Sequence, residues 1–142
     1  MRARRGGNVL EFGLILPVFV MLVGAIMDFA WLFYMESALD RAVMLGCRAG
    51  ALVDPGEGDT SLSATKDKAK DAMQDALWEN SVGVSADPET LALAVSTHGN
   101  TPGRSLVCEA SLEVEPLVGI ALDPLTLSAS TAIRLEWQRS ST

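Results

Sequence analysis

The 142-residue chain has one histidine and two cysteines. His98 has no cysteine or second histidine beside it, so a metal site of ordinary ligand spacing lacks donors, and a catalytic triad lacks a convincing nucleophile. Basic residues are also few. Three of the 11 (Arg2, Arg4 and Arg5) and two of the 18 acidic residues (Glu11 and Asp28) precede Phe29, leaving 8 basic against 16 acidic residues beyond it. A nucleic-acid partner requires a basic stripe that neutralises phosphates, and none is present. The excess of carboxylates suits the solubility of an exported domain.

Two short motifs carry no chemistry on inspection. Asp54-Pro55-Gly56-Glu57-Gly58-Asp59 has glycines and hard oxygens. No strand precedes it and no Lys-Ser/Thr closes it as in a phosphate cradle, and its acidic residues lack EF-hand spacing. It reads as a solvated loop. Ser63-Ala64-Thr65-Lys66 matches Ser-x-x-Lys without a companion motif, and Ser63 reads better as a helix N-cap. No enzyme activity, metal or cofactor is expected.

Charge is nearly missing from one further place, the run from Phe12 to Met35, where Asp28 is the only charged residue. As a helix these 24 residues cover about 36 Å, more than the ~30 Å hydrocarbon core of a bilayer. A single span over about residues 9–35 follows. Arginines before the run and Glu36 and Asp40 soon after it predict a cytoplasmic N-terminus, with the remainder outside the inner membrane. Trp31 and Tyr34 fit an interfacial aromatic belt. Cys47 and Cys108 both follow the span, so in an oxidising periplasm they can form one bridge. Two buried thiols that never meet are the other reading.

The N-terminus allows three fates. Val23-Gly24-Ala25 offers small residues to signal peptidase, but the apolar run continues through Ile26, Met27, Phe29, Trp31, Leu32 and Phe33. The chain can instead remain a permanently anchored periplasmic scaffold or binding protein of a secretion or surface apparatus. In the third case it is cut ahead of the run. Gly6, four further residues and Glu11-Phe12 have the form Gly-x-x-x-x-Glu-Phe, which resembles the processing site of type IV pilin-like proteins. That resemblance implies cleavage between Gly6 and Gly7 by a prepilin peptidase, loss of a basic leader (1–6), and Glu11 as the fifth residue of the mature protein. A glycine lets the backbone approach the protease closely. A carboxylate at the mouth of a membrane helix is costly unless it is used, and in an assembly Glu11 can pair with the new α-amine of itself or a neighbour. Pro17 removes one helical hydrogen bond and favours a kink or local melting.

The resemblance extends further. Glu11-Phe12 with Pro17, then Asp28-Phe29, then Tyr34-Met35-Glu36-Ser37-Ala38-Leu39, and the small-residue stretch Arg41 to Gly50 are similar to the N-terminal region of TadE-like proteins, pseudopilins of the tight-adherence pilus. Cys47 stands where that family often has a small residue. The closing stretch Leu122 to Glu136 also looks like the family's last strand. Membership implies a non-catalytic role in building or priming a pilus. The implied partners are a prepilin peptidase, other minor pilins, the major pilin and an inner-membrane assembly platform, with later incorporation into an extracellular fibre.

Beyond Met35 the apolar positions Leu39, Val43, Gly46, Ala49 and Gly50 recur at helical spacing, so the first helix leaves the membrane and continues to about residue 53. A second helix is expected over 63–80, with Ala69, Ala72, Met73, Ala76 and Leu77 on one face. Three strands follow. Leu91–Val95 is short, with a turn region from His98 to Gly103. Leu106–Glu115 and Leu125–Trp137 alternate with period two, which predicts an antiparallel sheet wet on one face. Cys108 falls in the buried phase, facing the helical layer. The expected architecture is α+β and pilin-like: an anchoring helix (7–53) and a periplasmic domain (54–142) with a second helix and a three-stranded antiparallel sheet.

Overall fold

A computed structural model describes residues 5–54, 62–80, 91–99, 103–119 and 123–135, without the side chains of 5–9, 79 and 80. Arg2, Arg4, the acidic loop 55–61, the turn residues 100–102 and Trp137 lie outside the described residues. The order of elements is α1 (Arg5–Ala51), α2 (Ser63–Asn80), β1 (Leu91–His98), β2 (Ser105–Val114) and β3 (Leu125–Arg134).

Helix α1 is 47 residues long and runs through Pro17 without interruption. At 1.5 Å per residue it extends about 70 Å. Every residue from Leu10 to Leu22 is exposed. From Asp28 onward one stripe is buried, through Leu32, Met35, Leu39, Val43, Cys47 and Ala51. Steps of three and four residues keep this stripe on one face, and that face is the wall of the core. Arg48 lies in the last turn, where a cation suits the helix dipole. A Val53 N–H to Gly50 C=O bond at 3.0 Å closes the end.

Helix α2 covers the expected residues, but its cap differs. Ser63 is the first helical residue, and the carbonyl accepting the first helical bond, from Lys66 N–H at 3.0 Å, belongs to Leu62. Leu62 has φ +55°, unusual for a residue with a Cβ. Its side chain is fully buried, and that burial places an apolar residue at the cap in place of a serine. Thr65, also fully buried, donates its hydroxyl to Val53 C=O at 3.5 Å and ties the start of α2 to the end of α1.

The sheet is antiparallel with order β1-β2-β3. Central β2 buries Leu106, Cys108, Ala110, Leu112 and Val114 against the helices and leaves Glu109 and Glu113 in water. Strand β1 runs three residues past Val95, so His98 is a strand residue and not part of the turn. It pairs with Ser105, whose hydroxyl donates to His98 C=O at 3.4 Å. The turn begins at Gly99, where φ is +88°, a value open to glycine at little cost.

The helices meet at glycines. A Cβ on Gly46 would stand 2.7 Å from Ala69 O and 2.8 Å from Met73 N, and one on Gly50 would stand 2.6 Å from Ala69 Cβ and 2.8 Å from Thr65 O. Backbone cannot swing aside as a side-chain tip can. One residue along from Gly46, Cys47 is joined by a disulfide to Cys108 on β2, with Cα atoms 5.7 Å apart and a sequence separation of 61. Both cysteines are fully buried.

Gly46→Ala is expected to force the helices apart. Overpacking of about 1–3 kcal/mol outweighs the roughly 1 kcal/mol that alanine gains in helix propensity. Gly13→Ala, with nothing within 4 Å of the added carbon, is expected to leave stability unchanged or raised. Denaturant unfolding of both variants in detergent measures the contrast. Reduction of the bridge, or Cys47→Ser with Cys108→Ser, is expected to lower stability by about 4 kcal/mol on the loop-entropy estimate. Equal mobility on reducing and non-reducing gels, with two free thiols by mass, would show that the bridge does not form.

Candidate functional site

The residues singled out from sequence occupy separate stations along α1. Gly6 and Gly7 lie in its first turn, where backbone N–H groups have no partner within the helix. Glu11 and Phe12 follow on the bare rod, both exposed, Phe12 at 65%. Cys47 is 36 residues beyond Glu11, or about 54 Å along the axis. The junction, the glutamate and the bridge therefore cannot act as one centre.

What surrounds Glu11 is apolar surface. Leu10, Leu14, Ile15, Val18, Phe19, Val20, Met21 and Leu22 are each more than half exposed. In water such a surface is unfavourable at about 25 cal/mol per Å². A lipid or protein environment is the one that suits it. Among the described residues α1 is the one helix long and apolar enough to cross a membrane, which fits a single-pass anchor.

The second carboxylate of the segment behaves differently. Asp28 is fully buried, and its Oδ1 accepts the backbone N–H of Val118 at 2.7 Å, across 90 positions of sequence. Its Oδ2 is buried with no hydrogen-bond partner among the described residues. An unpaired buried polar oxygen ordinarily costs about 1–3 kcal/mol, so this contact is held at some expense. Beside it Leu117 lies against Met27, Ala30, Trp31 and Tyr34, and Trp31 stacks on Tyr34 with ring centroids 5.9 Å apart. The sequence marked Asp28 as the one charge in the run and gave no sign of its partner. The residues after β2, Pro116 to Gly119, carry no motif, and only their proximity in space reveals the contact.

A shallow depression on the outer sheet face, of about 410 Å³, is lined by Ala92, Ala94, Glu109, Ser111, Ser128 and Ser130. His98 is exposed at the end of β1. No three His, Cys, Asp or Glu side chains among the described residues are grouped to hold a metal.

Comparison with curated proteins and with solved structures finds no match. One family model, described as TadE-like protein, matches residues 8–48. The matched stretch begins just after the Gly6-Gly7 junction. It contains Glu11-Phe12, Pro17, Asp28-Phe29 and Gly46, and ends beside Cys47, spanning nearly all of α1. Over this helix the chain is similar to the TadE-like family, whose members are associated with the tight-adherence pilus.

Proposed function

We propose that the protein is a minor pilin or pseudopilin that assembles or primes a tight-adherence, Flp-type pilus. The observation that carries this reading is the family match lying on an uninterrupted helix whose N-terminal half is bare apolar surface. Such a rod can exchange lipid for the corresponding helices of other subunits with little change in solvation. The domain of α2 and the sheet, fixed to the rod's other end, then forms the lateral contact in the periplasm or on the fibre. No catalytic step belongs to this role.

In the same reading the chain is made as a precursor and cut by a prepilin peptidase between Gly6 and Gly7. Glycines weaken a helix, and the first turn is its least bonded part, so the junction opens readily into the extended form that proteases take. Loss of Arg5 and its leader neighbours removes the charges that hold this end in the cytoplasm. Glu11, exposed in apolar surroundings, then sets register by pairing with the α-amine of Gly7 on its own or a neighbouring chain. Partners in this scheme are the peptidase, the other pilins and the inner-membrane platform.

N-terminal sequencing of the mature protein from its native host separates the possible fates. Gly7 at the terminus is the expected result, Met1 or Arg2 would indicate a permanent anchor, and Ile26 a released soluble domain. Gly6→Ala is expected to abolish processing. Glu11→Ala is expected to be processed normally and to be lost from assembled pili; normal incorporation of that variant would remove the role given to Glu11.

A further inference from the structure

We propose that residues 116–119 form a second membrane contact, an apolar wedge seated in the outer leaflet beside α1, and that Asp28 sets its height. The inference rests on α1 as a membrane anchor and goes beyond any role in a pilus. Its starting point is the place where the domain grips the helix. Asp28 is seven residues before Met35, the end of the apolar run, so the Asp28–Val118 hydrogen bond lies about 10 Å inside that end. The domain therefore reaches down the rod into the level that the apolar run assigns to lipid.

The described residues at that level are suited to it. Leu117 is 63% exposed and Val118 42%, and Leu117 adjoins exposed Met27 on the helix. Trp31 and Tyr34, the aromatic pair expected at a membrane interface, stand beside Leu117. Seven residues in a row, Pro116 to Leu122, carry no charge between Glu115 and Asp123. Placing Asp28 at the outer boundary leaves Leu10 to Met27 to cross the core. These 18 residues cover about 27 Å, close to the hydrocarbon thickness. The apolar surface of wedge and helix is then continuous, and the occupant it fits is the lipid already surrounding α1. With no basic residue from Phe29 to Asp40 or from Ser105 to Ile133, the seat does not require anionic headgroups.

The experiment uses the full chain reconstituted in phosphatidylcholine nanodiscs, with the Cys47–Cys108 bridge confirmed by mass. A nitroxide is placed in turn at Leu117→Cys, at Phe19→Cys on the bare rod and at Ser130→Cys on the outer sheet face. Depth is read from collision with oxygen against a water-soluble nickel chelate. The label at 117 is expected about 5–10 Å below the phosphates, that at 19 deep in the core and that at 130 in water. Asp28→Asn keeps an oxygen acceptor and is expected to retain the immersion at 117. Asp28→Ala is expected to lose it while the helix content and bridge persist.

A label at 117 as aqueous as that at 130 overturns the wedge. One at 117 shielded from oxygen and nickel alike, and immobilised more as copies per disc increase, shows a protein neighbour in place of lipid and also overturns it. An aqueous label at 19 removes the premise that α1 spans the membrane. Unchanged depth in Asp28→Ala removes Asp28 as the height-setting residue.

Discussion

Gly46, Cys47 and Gly50 occupy little more than one turn of α1, and that turn touches both other layers of the domain. The glycines admit the backbone of α2 to a distance that any side chain would forbid, while the cysteine between them bonds to the middle strand of the sheet. The remaining core is arranged around this contact. Met73 and Ala69 complete the helix pair, and Leu106 reaches to Gly50 from β2. Removing α1 would therefore take away one wall of the core as well as the anchor. Anchor and domain are thermodynamically one object.

The same helix meets two solvents without changing conformation. Its first half has apolar residues on every side, as a helix in lipid does, and its second half narrows to a stripe. The change occurs between Leu22 and Asp28. Backbone hydrogen bonds within the helix are satisfied in either medium, which is why an unbroken rod can pass from one to the other. Pro17 lies well inside the bare half and does not disturb the packed half.

Much of this was legible in the residues. Period-two alternation from Leu106 to Val114 fixed which face of β2 is buried, and with it the side on which Cys108 would meet a helix. The apolar face of α2 was equally plain from Ala69, Met73, Ala76 and Leu77. Other features depend on contacts made across the fold and leave no local trace. Leu62 at a helix cap contradicts capping preference, because a core site outweighs the modest gain from a serine hydroxyl. His98 looked like a turn residue since Gly99 follows it, but a ladder of cross-strand bonds carries the strand to the last residue before the positive φ. Asp28 was conspicuous as a lone charge, and its partner is a backbone N–H, which any non-proline sequence can supply.

The bridge also determines how the molecule bears load. Force applied along the rod would otherwise reach β2 through 60 intervening residues, passing along α2 and β1 in series. The covalent link places those residues in a side branch and delivers tension directly from α1 to the central strand. The intervening chain can be nicked without separating the sheet from its rod. For a protein pulled by one end while its domain is held by neighbours, the strongest connection lies where the two are joined.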